Sequence, residues 1–348
     1  MTSLDHPTCA FFVQATDKMA EVQQLAPNGD VKLICSSAAT EWSTEIIVSS
    51  VVLSLASPVF KVMLGPHFKE GATLASGEKL ELPLPDDDAQ AMLTICQVIH
   101  MRAVSCSPPT AKQLLNIALL ADKYDCRLAL SYAMGEWIQI ARVTFSNQDR
   151  LDLFKVAYLM EYPKDFAEFG RLLVLNSPPK FHMTAPESID DRLRRTIDKL
   201  SAHRDLTASI AARELSRTID EECTETSAGF CLPNCTYLPT RLRNFMTSLS
   251  KSQIWPLIHF QDKSLQAMRA ALKTFPQGYT TGLEYCDSKM CCQGDSLRPE
   301  HDMQLCVKHI VYKLEQSVPE PCLICVKEGH VETSVESGGC KGEHKRNA

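Results

Sequence analysis

The stretch from Val51 to Leu64 constrains the fold more than any other part of this chain. Its apolar residues Val51, Val52, Leu55, Val59, Phe60, Met63 and Leu64 recur at helical spacing, but Ser57-Pro58 interrupts the run. A serine ahead of proline can cap a helix whose first turn accepts the proline ring. The pattern therefore predicts two short helices with one shared apolar face, and such a pair is stable only where a sheet covers that face. The segments Val31-Lys32-Leu33-Ile34-Cys35 and Ser43-Thr44-Glu45-Ile46-Ile47-Val48 are short, β-branched and separated by polar residues, which predicts a hairpin. Leu80-Glu81-Leu82-Pro83-Leu84 alternates as a further strand does.

Beyond that strand, helices dominate. Asp86-Asp87-Asp88 offers a cap and negative charge at the start of a helix expected over 89–101, whose apolar face is Ala91, Met92, Ile95, Val98 and Ile99. After the Pro108-Pro109 break, Leu114, Leu115, Ala118, Leu119 and Ala121 mark a helix from Thr110, and another runs from beyond Asp125 through Ile140. The predicted order is β-β-α-α-β-α-α-α. Residues 1–27 lack sustained periodicity and lead into Ala26-Pro27-Asn28-Gly29, a turn signal, so they read as a flexible tail.

Five segments in this order resemble the BTB/POZ family, and most closely its members abundant in filamentous fungi. They are Gly29-Asp30-Val31, Val52-Leu53-Ser54-Leu55-Ala56-Ser57-Pro58-Val59-Phe60, Gly65-Pro66-His67-Phe68-Lys69-Glu70-Gly71, Leu82-Pro83-Leu84-Pro85-Asp86-Asp87-Asp88 and Leu119-Leu120-Ala121-Asp122-Lys123-Tyr124. The resemblance spans 28–142. It implies an α+β fold with a small sheet packed by helices, and a protein-interaction role without catalysis. It further implies a homodimer surface on the outer face of the first helix and the extreme N-terminal segment, for which Val51, Leu55, Phe11, Phe12 and Val13 are the candidates. Phe68-Lys69-Glu70 matches the hydrophobic-x-Glu pattern by which BTB adaptors engage cullin-type ubiquitin-ligase scaffolds, with Phe68 as anchor and Glu70 as the charge at its rim. The alternative is a loop whose Phe68 folds back onto the core while Glu70 is solvated. Ser49 stands where the family often has histidine, so the charged pocket that some relatives place at the dimer seam is not carried over, and Asp30 reads as an ordinary residue opening a strand.

The remainder reads as mainly α-helical and cysteine-rich, in three parts: a helical extension over 143–222, a Cys-rich region over 223–327 and a disordered tail over 328–348. Helices are expected over 151–160, ending near Tyr162-Pro163, and over 166–175. Thr184-Ala185-Pro186-Glu187 has capping-box spacing and would open a long helix to about Ile219. Ile189, Leu193, Ile197 and Leu200 then lie at near-heptad spacing, either a partner helix or a helix packed on its own chain. Ten of the 15 cysteines lie beyond residue 220. Cys322, Cys325, Cys340 and His344, with His330 as substitute, have the ligand types for a closed structural zinc, and Cys231, Cys235, Cys286 and Cys291 or Cys292 make a weaker set. Unliganded thiols are the competing account.

Charge narrows the function classes. A net −6 from 36 basic and 42 acidic side chains collects no phosphate backbone, so nucleic-acid binding is not expected, and a zinc-stabilised nuclear regulator is the alternative it counts against. No apolar run approaches the ~20 residues of a membrane span. Without a basic n-region, the N-terminus does not read as a signal peptide, which points to an intracellular protein of cytoplasm or nucleus. Phosphate loops, Gly-x-Ser-x-Gly, His-Glu-x-x-His and kinase signatures are absent. Cys96 and His100 share a helix face but lack a third orienting group for nucleophilic chemistry. The expected role is thus an adaptor joining itself, a cullin scaffold or both to an unknown protein target, the other alternative being a structural scaffold without a ligase link.

Overall fold

A computed structural model describes residues 21–36, 43–102, 104, 108–142, 147–181, 190–227, 237–276, 299–316 and 318–331. The chain divides into two compact units, between Ala141 and Arg142. It is a mixed protein with a small four-stranded sheet, and helices make up most of the rest.

The first unit holds strands β1 (Glu21–Gln24), β2 (Val31–Ser36), β3 (Ser43–Val48) and β4 (Leu80–Leu84). Their order across the sheet is β1-β3-β2-β4, with β2 antiparallel to β3 and the outer pairs parallel. Strand alternation decides the two faces. Val31, Leu33, Cys35, Ile46, Val48, Leu80, Leu82 and Leu84 are buried, whereas on the other face Lys32 pairs with Glu81 at 2.6 Å and Glu45 at 3.5 Å. Gly29 precedes β2 because a Cβ there would meet Ile47 Cγ2 at 2.6 Å and Val48 O at 2.8 Å.

The buried face is covered by helices. After β3 come α1 (Ser50–Ala56), α2 (Pro58–Met63) and α3 (Lys69–Ala75), then β4, α4 (Ala89–Ile99), α5 (Ala111–Lys123) and α6 (Arg127–Ala141). Ser57 is the junction between α1 and α2, and its hydroxyl accepts from Phe60 N at 3.0 Å as the Ser-Pro pair predicts. Asp88 caps α4 by accepting from Ala91 N at 2.8 Å, and Thr110 with Gln113 forms a capping box on α5.

Two corrections arise here. Within the stretch expected as a tail over 1–27, Glu21–Gln24 pairs in parallel with β3 and Leu25 and Ala26 are buried, while 1–20 lie outside the described residues. The stretch ahead of Gly71 is also more ordered than a loop: α3 begins at Lys69, and Gly71 is buried so tightly that a Cβ would run into Gly65 O.

A buried polar knot joins three distant segments of this unit. Asp87 is 1% exposed; it accepts a hydrogen bond from the Tyr124 hydroxyl and pairs with Lys123 at 2.6 Å. The Tyr124 ring stacks on Phe60 with centroids 4.4 Å apart, and Tyr124 O accepts from Ser57 Oγ at 2.5 Å. Burial first, and the Asp87 carboxylate second, push the Tyr124 hydroxyl well above its ordinary range, so it stays a donor.

The regular elements among the described residues of the second unit are helices: α7 (Asn147–Leu159), α8 (Pro163–Asn176), α9 (Asp191–Ser227), α10 (Tyr237–Lys251), α11 (Leu257–Gln261), α12 (Leu265–Lys273), α13 (Pro299–Gln316) and α14 (Leu323–Lys327). Phe154 of α7 stacks on Phe166 of α8 at 4.4 Å. The long helix α9 buries Leu193, Ile197, Leu200, Ala208, Ala211, Ala212, Leu215 and Ile219 against the other helices of this unit, which favours packing on its own chain over a partner helix. It starts later than the capping-box spacing predicts. Asp190 accepts from Arg192 N at 2.9 Å and from the Tyr158 hydroxyl at 2.6 Å, so its carboxylate marks the helix start, while 184–187 lie outside the described residues. Arg204 is 1% exposed; it donates to Asp205 Oδ1 at 2.9 Å and to the carbonyls of Gln261 and Lys263, which pins the α11–α12 turn onto α9. Of the tail expected over 328–348, the described residues 328–331 are ordered, since Gly329 N and His330 N donate back to Val326 O and Cys325 O and Val331 is buried, while 332–348 lie outside the described residues.

Candidate interaction surface

Helix α1 is short and carries no charged side chain, so its N-terminus depends on groups supplied from elsewhere. Ser49, its N-cap, makes no side-chain cap bond. Asp30 substitutes for it from the start of β2, accepting from Ser50 N at 2.8 Å and from Ser50 Oγ at 2.5 Å, while Asp30 O accepts from Leu80 N at 2.9 Å. Asp30 is therefore a remote cap that ties α1 to two strands, which corrects its reading as an ordinary residue opening a strand.

His100 supplies the second anchor. As the C-cap of α4, it accepts from Ser49 N through Nε2 at 3.1 Å while its Nδ1 donates to Cys96 O at 2.9 Å. This pair of bonds assigns the neutral tautomer with the proton on Nδ1. Burial, with a smaller contribution from Arg102, lowers the imidazole below its ordinary value against the opposing bond to Cys96 O. Arg102 in turn donates from Nε to Leu25 O at 2.8 Å, joining the end of β1 to the same corner.

The anchored helix leaves apolar side chains outside. Leu53 is fully buried, whereas Val51 is 64% and Leu55 83% exposed, one helical turn apart on the same face. Met101 follows the His100 anchor and is almost wholly exposed. Exposed apolar residues grouped on a rigid element mark interaction surfaces more often than scattered ones do. Phe11, Phe12 and Val13, the other candidates for this surface, lie outside the described residues.

Phe68 and Glu70 sit elsewhere on the unit. Phe68 is the N-cap of α3 and is 47% exposed, so its ring does not fold back into the core, and Glu70 lies in the first helical turn, where negative charge is favourable. An outward aromatic with a carboxylate two residues on is thus presented from a helix start and not from a loop.

The cysteines offer no catalytic arrangement among the described residues. His100 bonds the carbonyl of Cys96 and not its thiol. Burial pushes the Cys96 thiol far up, and takes Cys35 and Cys126 to about 12. Thiols held this high are poor nucleophiles at neutral pH. In the second unit Cys322 is the N-cap of α14 and Cys325 is buried within it, with His330 N donating to Cys325 O at 2.8 Å. Cys340, His344, Cys231, Cys235, Cys286, Cys291 and Cys292 lie outside the described residues, and among the described ones no group of three or more His, Cys, Asp or Glu is placed to hold a metal ion. No helix of the described residues is long and apolar enough to cross a membrane.

Sequence reasoning missed Asp30 and His100 as anchors of α1, and Met101 as an exposed neighbour. The only advance signal was the proximity of Gly29-Asp30-Val31 to a strand start, since both bonds join residues far apart in the chain. No protein-family model matches the chain, and no curated protein matches it.

Proposed function

We propose that the first unit is a BTB/POZ-type interaction module and that the chain is a non-enzymatic adaptor, associating with itself through α1 and engaging a cullin-type ubiquitin-ligase scaffold through Phe68 and Glu70. The observation that carries this reading is the exposed pair Val51 and Leu55 on a helix held from both ends, by Asp30 and His100 at its start and by Ser57 at its finish. Rigid presentation matters because the backbone of a packed helix is ordered beforehand, so that binding costs only the rotamer freedom of its exposed side chains, about 0.5 to 1.5 kcal/mol each. Three of the five segments that resemble the family meet in space, and the other two each make a close approach of their own. The Ser57-Pro58-Val59-Phe60, Asp86-Asp87-Asp88 and Lys123-Tyr124 words form the polar knot, and Gly29-Asp30 and Gly65 to Gly71 make the two close approaches. The second unit would then carry recognition of the target protein, and any structural zinc would belong to it.

The test is light scattering on the full chain during size-exclusion chromatography, alone and mixed with the N-terminal domain of a cullin. Self-association abolished by Val51→Asp with Leu55→Asp, and a cullin complex abolished separately by Phe68→Ala and by Glu70→Ala, are the expected results. A chain that stays monomeric and leaves the cullin unbound at micromolar concentration would sink both parts of the proposal.

A further inference from the structure

Helix α1 meets the rest of its unit through a junction that can change its protonation state. The backbone N–H of Ser49 has no helical partner, and it is satisfied by a side chain 51 residues away, the His100 imidazole. The other ring nitrogen is committed as donor to Cys96 O, so Nε2 is the only ring atom left to accept. A second proton would have to go on that Nε2. It would replace a lone pair with an N–H aimed at another N–H, and the ring would have to turn away or Ser49 would have to move.

We infer that His100 is an acid-released latch on the start of helix α1, closed at neutral pH and opened by protonation, so that acid loosens the helix carrying Val51 and Leu55. The consequence for self-association rests on the docking role proposed above for α1; the latch itself does not. The surrounding groups leave an added charge uncompensated. Helix α1 has no titratable side chain, Cys96 on α4 is a buried thiol, and Arg102 is a like charge. The carboxylate of Asp30, next to the start of β2, accepts from both donors of Ser50, and the charged side chain that acts on the imidazole is Arg102 and not this carboxylate. Burial acts in the same direction, since a half-buried imidazole resists charging and the closed form persists somewhat below the ordinary histidine range.

Linkage gives the direction of the effect. The imidazole titrates lower in the folded state than in the unfolded one, so its contribution is fully present above the unfolded value near 6.5 and is lost as pH falls toward the folded value. Tightening of α1 on acidification would have the wrong sign.

Amide hydrogen exchange of the full chain at about pH 7.5 and about pH 5, corrected for intrinsic rates, reads the latch directly. The α1 amides should lose protection roughly two- to tenfold at the lower pH, the worth of one net hydrogen bond, relative to the amides of α5 in the same sample. His100→Gln places an amide oxygen near the Nε2 position but cannot titrate, and should remove the pH difference in α1. Light scattering at the same two pH values reads self-association. Unchanged α1 protection relative to α5 in the wild type, or the same pH response in His100→Gln, overturns the latch. A chain monomeric at both pH values, with α1 protection still falling, overturns the docking role and leaves the latch standing.

Discussion

Tyr124→Phe removes one oxygen from the buried knot and nothing else. The phenylalanine ring keeps the stack on Phe60, 4.4 Å away and nearly parallel, and the backbone carbonyl still receives Ser57 Oγ. What is lost is the donor to Asp87, a carboxylate only 1% exposed and therefore unable to replace that bond with bulk water. A hydrogen bond to a charged group contributes about 1.5 to 3 kcal/mol, and the remaining partner does not compensate. Lys123 reaches the other carboxylate oxygen at 2.6 Å, yet its side chain is half exposed and such pairs are worth about 0 to 1 kcal/mol. The hydroxyl therefore outweighs the ammonium, and Lys123→Met should cost under about 1 kcal/mol. Chemical denaturation followed by fluorescence, with the first-unit transition fitted separately, should show Tyr124→Phe destabilised by about 1.5 to 3 kcal/mol. For a unit of this size that corresponds to a fall in midpoint temperature of roughly 3 to 12 °C. A Tyr124→Phe chain within about 0.5 kcal/mol of wild type, or a Lys123→Met chain that suffers more, would refute the ranking and with it the claim that the knot holds these segments together.

Three further outcomes are expected. Gly71→Ala drives a methyl into the carbonyl of Gly65 and should destabilise the first unit by about 2 kcal/mol or more, whereas Gly77→Asn, at a positive φ in open space, should cost under about 1 kcal/mol; thermal melts of the two variants check the difference. Arg204→Met should weaken the second unit and expose the α11–α12 turn to hydrogen exchange, because the carbonyls of Gln261 and Lys263 lose their donor, and Arg204→Lys should not restore protection since one ammonium cannot span both carbonyls and Asp205. Cys35, Cys96 and Cys126 should resist alkylation in the native chain at mildly alkaline pH and react on unfolding, as mapped by mass spectrometry; rapid native labelling of any of the three would contradict their burial.

The parts that could be read in advance are those whose cause lies within a few residues. Strand alternation in Val31 to Cys35 and Leu80 to Leu84 came through as a buried face and a solvent face, because side-chain direction in a strand is a local property. Ser57-Pro58 divided two helices for the same kind of reason, a cap and a fixed φ acting on adjacent residues. The helical period of α4, α5, α8 and α9 was legible, but their ends were less so: Asp190 sets the start of α9, and α8 begins at Pro163, three residues before its apolar period, with no side-chain cap. Residues 21–24 gave no such signal. Val22 is their single β-branched residue, and the strand exists because β3 offers an open edge for parallel pairing.

What the amino-acid sequence by itself determined about this protein is most of the local elements of the first unit, the helices α7 to α9 of the second and the small-sheet-with-helices class. What only the tertiary structure decided is how distant residues complete one another: Asp30 capping α1 across 20 residues, Tyr124 donating to Asp87 across 37 and His100 accepting from Ser49 across 51. The physical reason is that a helix or strand propensity depends on neighbours along the chain, whereas a buried donor or acceptor can be satisfied by any group the fold brings within hydrogen-bond distance. The exposure of Val51, Leu55 and Phe68 belongs to the same class, since their apolar character is written in the sequence but which of them the core leaves uncovered is settled by packing.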